Sequence, residues 1–121
     1  MDDYALYRRS GRAFATSQDF TTATDDTTLV TAKSTSYYVY IQSITCTIKT
    51  DAAQSITFED SASSPRYVQK VTTSPGADTT WKWDFGPRGI QLTQGKNLVM
   101  NVSATGLAGH VEVVGYQSLI D

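Results

Sequence analysis

The sequence predicts an all-β protein: an antiparallel β-sandwich of jelly-roll type, about eight strands, with an extended N-terminal arm. Three observations predict it. The 121 residues include 18 Thr and 12 Ser beside seven Tyr, four Phe and two Trp, and β-branched and aromatic side chains pack well on a pleated surface. Apolar residues recur at every second position in several short runs, the period of a half-buried strand. Turn-forming residues interrupt the chain between those runs, and no helical period is sustained over about ten residues. About eight strands so spaced suit a sandwich, and a jelly roll in particular. One domain is expected, since a chain of this length buries roughly two-thirds of its unfolded surface, enough for one core without disulfides or metals.

Residues 1–26 carry no sustained hydrophobic period, and Thr16 to Thr28 is almost wholly polar. Such a stretch cannot offset its ordering entropy by its own burial, so it is expected to be an arm, with the sandwich domain over residues 27–121. Tyr4, Leu6, Tyr7, Phe14 and Phe20 are spread along it with Arg8, Arg9 and Arg12. Linkers are rarely so aromatic, and Arg and Tyr dominate the energetics of protein interfaces. The arm residues Tyr4, Tyr7, Arg8, Arg9, Arg12, Phe14 and Phe20 are therefore the candidate partner-binding set. The alternative is that the arm lies on its own domain as an edge strand.

Leu29-Val30 opens the first strand of the domain. The longest runs from Tyr37 to Lys49, where Val39 and Ile41 are out of phase by one residue with Ile44, Cys46 and Ile48. A period of two must be strict along a strand with one buried face, so a bulge near Gln42-Ser43 is predicted. Asp51-Ala52-Ala53 turns the chain into Ile56-Thr57-Phe58. A loop over Ser61 to Pro65 precedes a strand from Arg66 to Thr73. Ser74-Pro75-Gly76-Ala77-Asp78 is a turn, because Pro presets φ and Gly admits positive φ.

Trp81, Trp83 and Phe85 alternate with Lys82 and Asp84, the cleanest half-buried strand in the chain. Gly86-Pro87-Arg88-Gly89 ends it. Ile90-Gln91-Leu92 is short, and Gln94-Gly95-Lys96-Asn97 turns again. Leu98, Met100 and Val102 alternate with Val99, Asn101 and Ser103, and His110 to Tyr116 forms the last strand.

A formal net charge of −2 and a pI near 5.2 argue against nucleic acid as a partner, because phosphate neutralisation needs a basic excess. No stretch approaches the ~20 apolar residues of a membrane helix, and Met1-Asp2-Asp3-Tyr4 lacks the pattern of a secretory signal, so the formal Asn101-Val102-Ser103 acceptor is expected to carry no glycan. Cys46, the single cysteine, can close neither an intrachain disulfide nor a cysteine zinc site. It is expected to be a small buried hydrophobe between Ile44 and Ile48.

No catalytic set survives inspection, and neither an enzyme, a cofactor nor a small-molecule substrate is expected. His110 is the single histidine; a Ser-His-Asp triad would need it, yet no Gly-x-Ser-x-Gly elbow occurs. Asp2-Asp3, Asp25-Asp26 and Glu59-Asp60 are adjacent pairs, whose side chains on a strand diverge to opposite faces. They do not form the facing carboxylates of a glycosidase and are expected to be solvated turn charges. No calcium loop or phosphate-binding glycine loop is present. Trp81 and Trp83 could form a sugar platform, but their alternation with Lys82 and Asp84 places them inward.

The chain resembles the small jelly-roll decoration, or cement, proteins of phage capsids. The residues that carry the likeness are Phe85-Gly86-Pro87-Arg88-Gly89-Ile90, Leu92 to Leu98, Ser103 to Gly106 and Gly109 to Tyr116, with Tyr38 to Ile44 and Ile56 to Asp60 before them. It spans roughly residues 27–117 and is a pattern of strands and turns without a diagnostic motif. The resemblance implies a virion protein on the outer capsid surface, made in the host cytoplasm. It would often be a homotrimer, clamping junctions between capsomers of the major capsid protein. A receptor- or carbohydrate-binding module of a phage fibre or tail is the alternative that the same sandwich allows. The family has no active site to carry over.

Overall fold

In the computed structural model, residues 13–23, 27–48, 55–72, 79–102 and 107–119 are described. They form nine strands: β1 (Ala13–Ala23), β2 (Thr27–Val30), β3 (Tyr38–Ile48), β4 (Ser55–Asp60), β5 (Tyr67–Thr72), β6 (Thr79–Asp84), β7 (Ile90–Gln91), β8 (Leu98–Val102) and β9 (Leu107–Ser118). Sheet A has the order β1-β9-β3-β6, with β7 also on β3; sheet B has the order β2-β8-β4-β5. All pairings are antiparallel.

The order has a simple logic. The pairs β4–β5, β3–β6, β2–β8 and β1–β9 are successive rungs of one long hairpin, and the rungs alternate between the two sheets. A hairpin wound in this way is a jelly roll, built of eight strands. The short β7 is an extra piece within the connection from β6 to β8.

Residues 13–23, read from the sequence as the second half of the arm or as an edge strand, are the edge strand. β1 pairs with β9 from Ala13↔Tyr116 to Phe20↔Gly109. The paired part of the chain thus begins ahead of Thr27, and β1 completes the outermost rung.

The core lies between the sheets. Val39, Ile41, Ile44, Cys46, Ile48, Val111 and Val113 of sheet A meet Ile56, Phe58, Leu98, Met100 and Val102 of sheet B. The predicted bulge is present: the β3–β9 register shifts between Ile41 and Ser43. It keeps both apolar sets of β3 inward. It also divides β3's second edge, with Tyr40 and Ile41 pairing β7 and Ser43 to Ile48 pairing β6. Gln42 holds the crossing, accepting Phe85 N–H on its carbonyl at 2.8 Å and donating its amide to Pro87 O at 2.6 Å. Gly89, at φ +74°, sits where a Cβ would lie 2.6 Å from Ile41 O, so a side chain is excluded both by conformation and by space.

Trp81 and Trp83 are half-buried against the core while Lys82 and Asp84 are exposed. The indoles are parallel at 6.3 Å between centroids, and Trp83 meets Phe58 edge-on at 5.8 Å. Packing at the rim of the core accounts for both.

The expectation of solvated charges at Glu59-Asp60 is corrected. Both residues are buried, where the β4–β5 register shifts between Phe58 and Glu59. Asn101 donates to Glu59 Oε1. Asp60 Oδ1 accepts the backbone N–H groups of Ala62 (3.1 Å) and Arg66 (3.2 Å), and Oδ2 accepts that of Thr93 (2.9 Å). Burial raises the Asp60 carboxyl, but these bonds, with one from the Thr93 side chain, outweigh it and hold the group below its ordinary value.

Candidate functional site

The outer face of sheet A is one of the two sheet faces these elements turn to solvent. The strand registers lay its side chains out in rows across β1, β9, β3 and β6: Ala15, Val114, Ser43, Asp84; then Ser17, Glu112, Thr45, Lys82; then Asp19, His110, Thr47, Thr80. Ala, Ser and Thr fill six of these twelve positions, and the opposite phase of each strand is committed to the core. A shallow trough runs over the middle of the face, bordered by Ala15, Ser17, Ser43, Thr45, Lys82, Glu112 and Val114. Val114 is 42% exposed at its centre.

Charge on this face is mixed. His110 Nδ1 stands 2.5 Å from Asp19 Oδ1 across the β1–β9 pair, and His110 Nε2 stands 3.9 Å from Glu112 Oε1. A hydroxyl nucleophile would need a ring nitrogen as its base, and both nitrogens face carboxylates. The nearest cross-strand hydroxyl, Thr47, is engaged with Thr80 at 3.0 Å. Among the described residues, no three His, Cys, Asp or Glu side chains come together to hold a metal ion. Nor, among the described residues, is any helix long and apolar enough to cross a membrane.

The end of the face is closed by a tyrosine pair. Tyr40 and Tyr116 stack across β3–β9, and their hydroxyls reach the chain between β6 and β8: Tyr116 donates to Arg88 O at 2.9 Å, and Gln91 donates to Tyr40 at 3.0 Å. Below them Gly115 faces inward. A Cβ there would lie 2.0 Å from Tyr40 O and 2.8 Å from the Phe14 ring, so β3 and Phe14 both close over a position that admits no side chain.

The sequence-derived partner set divides accordingly. Phe14 is half-buried over Gly115 and packs against the core. Phe20 lies in β1 opposite Gly109. Tyr4, Tyr7, Arg8, Arg9 and Arg12 lie outside the described residues. The outer face of sheet A was not among the sequence candidates. Its signal was present in the polar phase of β3, Ser43-Thr45-Thr47, which alternates with Ile44-Cys46-Ile48.

No protein-family model and no curated protein sequence matches the chain. The solved structures that match include the following two. One is a Bacillus endospore appendage protein, from a family of disulfide-linked pili: identity is 11%, the TM-score 0.43, and the match covers 88% of this chain and 91% of that one. The other is the coat protein dimer of Tobacco streak virus, at 10% identity and a TM-score of 0.38, covering 87% of this chain and 85% of that one. The jelly-roll topology itself stands on the strand order.

Proposed function

We propose that the chain is a structural protein that works by adhesion: a decoration module on the outer surface of a phage capsid, stabilising capsomer junctions. The observation that supports this reading best is the outer face of sheet A, flat, small-residued and mixed in charge, with a shallow trough in place of a deep cleft. The rim of a protein interface is polar and holds bridging water, and this face has that composition. The arm residues Tyr4, Tyr7, Arg8, Arg9 and Arg12 stand ahead of β1 in the sequence, and β1 is the edge strand of the same sheet, which supports their contribution to this contact. The homotrimer implied by the family resemblance would multiply such contacts by avidity.

The test is co-sedimentation of the purified protein with capsids that lack it, followed by heating of the decorated particles. Binding with a raised disruption temperature is expected, and replacing Arg8, Arg9 and Arg12 with Ala should lower occupancy while far-ultraviolet circular dichroism stays unchanged. A protein that ignores capsids but binds a glycan array would overturn the reading in favour of a fibre or receptor-binding module.

A further inference from the structure

The four sheet edges are not protected alike. Natural edge strands are blunted by shortness, by Lys, by Pro or by irregular pairing, because an open row of N–H and C=O groups templates another strand. β2 has four residues and an irregular register. β5 carries Lys70 and a register shift against β4. β6 is six residues long with Lys82 at its middle, and it shares its side of β3 with β7.

β1 has none of these devices over Ala13 to Phe20. It pairs with β9 there without a register shift, the irregularity of this pair lying beyond it between Phe20 and Ala23, and it holds no Pro, Lys or Arg. Its single charge, Asp19, is already matched by His110 at 2.5 Å. Among the described residues nothing pairs with its outer side.

We infer that β1 is a homotypic docking edge, joining two copies of this chain by antiparallel β1–β1′ pairing about a twofold axis at Thr16. The occupant follows from self-complementarity. Centred on Thr16, the register uses the regular segment Ala13 to Asp19 of both strands. It sets Ala15 against the partner's Ser17 and Phe14 against the partner's Gln18. It also sets Asp19 against the partner's Ala13, so the one charge meets a methyl group and not its own copy. A register centred on Asp19 would place two carboxylates in direct opposition, which is destabilising. Small residues at Ala13, Ala15 and Ser17 leave the outer face of sheet A level across the join, so two faces become one continuous surface. The contact uses a sheet edge alone and does not depend on the capsid reading or on a threefold arrangement.

Sedimentation velocity over a concentration series tests it. The protein should shift reversibly toward dimer as concentration rises. Ala15→Lys with Ser17→Lys puts like charges opposite each other twice, and should weaken association by about tenfold or more. Ala15→Glu with Ser17→Lys puts opposite charges there, sets the new cation opposite Glu112 within the chain, and should restore it. Both variants should keep the wild-type circular dichroism spectrum, since these side chains point to solvent. Thr16→Cys gives an independent readout, a symmetric disulfide dimer on mild oxidation, with Cys46 buried out of reach. A wild-type chain that stays monomeric at all concentrations would overturn the inference, as would equal association of the two charge variants. Capsid co-sedimentation would be unaffected by such a failure, so the two readings fail separately.

Discussion

Tyr40 and Tyr116 stack across the β3–β9 pair with ring centroids 4.6 Å apart and planes 7° from parallel. Both residues are in the outward phase of their strands, yet both are buried, because the connection from β6 to β8 folds over them and takes their hydroxyls. Tyr116→Phe keeps the ring and loses the bond to Arg88 O, and should cost about 0.5–1.5 kcal/mol in a urea titration. Tyr116→Ala removes the stack as well, and about 3–5 kcal/mol is expected. Equal losses in the two variants would mean that the ring contributes nothing.

Asp60 makes the fold sensitive to acid. Its folded pKa lies below the ordinary value, so its contribution to stability is fully present above the unfolded pKa of about 4 and is lost as pH falls through the folded value. Asp60→Asn replaces one acceptor oxygen by an amide that faces backbone donors, and should cost about 1–3 kcal/mol at neutral pH. Urea midpoints measured from pH 6 down to pH 2 should fall less steeply below pH 4 in the variant. Parallel curves for the two proteins would contradict this.

The Cys46 thiol is buried, and burial pushes its pKa up to about 12. The thiolate is the reactive form, so an aromatic disulfide reagent should leave the native protein unlabelled and react fully in denaturant. Cys46→Ser should destabilise more than Cys46→Ala, because it buries a hydroxyl in an apolar layer. Rapid labelling of native protein would place the thiol at the surface.

Gly115→Ala should be more damaging than an ordinary glycine substitution. The added Cβ meets a backbone oxygen, Tyr40 O, which cannot swing aside, as well as the Phe14 ring. A loss of about 1–3 kcal/mol or more is expected. Phe14→Ala should not rescue it, since the backbone clash remains. Recovery in the double variant would show that Phe14 alone was the obstacle.

Much of the fold was legible without coordinates. The phase break between Ile41 and Ile44 announced the bulge, and the alternation around Trp81 and Trp83 announced which side faces the core. Glu59 and Asp60 misled because an acidic pair after a strand reads as a solvated turn. What buries them is a set of donors from Ala62, Arg66, Thr93 and Asn101, and the last two come from other parts of the chain. The candidate surface was half legible: the polar phase of β3 was visible, but not that β1, β9 and β6 would extend it into a face.

The sequence by itself determined the β class, the strand positions from Leu29 onward among the described residues, and the inward phase of the long strands. These follow from period-two patterning and turn chemistry, which are local. Tertiary structure alone decided that Ala13 pairs with Tyr116, that Phe14 closes over Gly115, and that Asp19 meets His110. β1 is mostly Thr, Ala, Ser and Gln, with Phe14, Asp19 and Phe20 among them, and has little apolar period of its own. Its conformation is set by the exposed ladder of β9 and by contacts about 90 to 100 residues away in sequence, which no local pattern records.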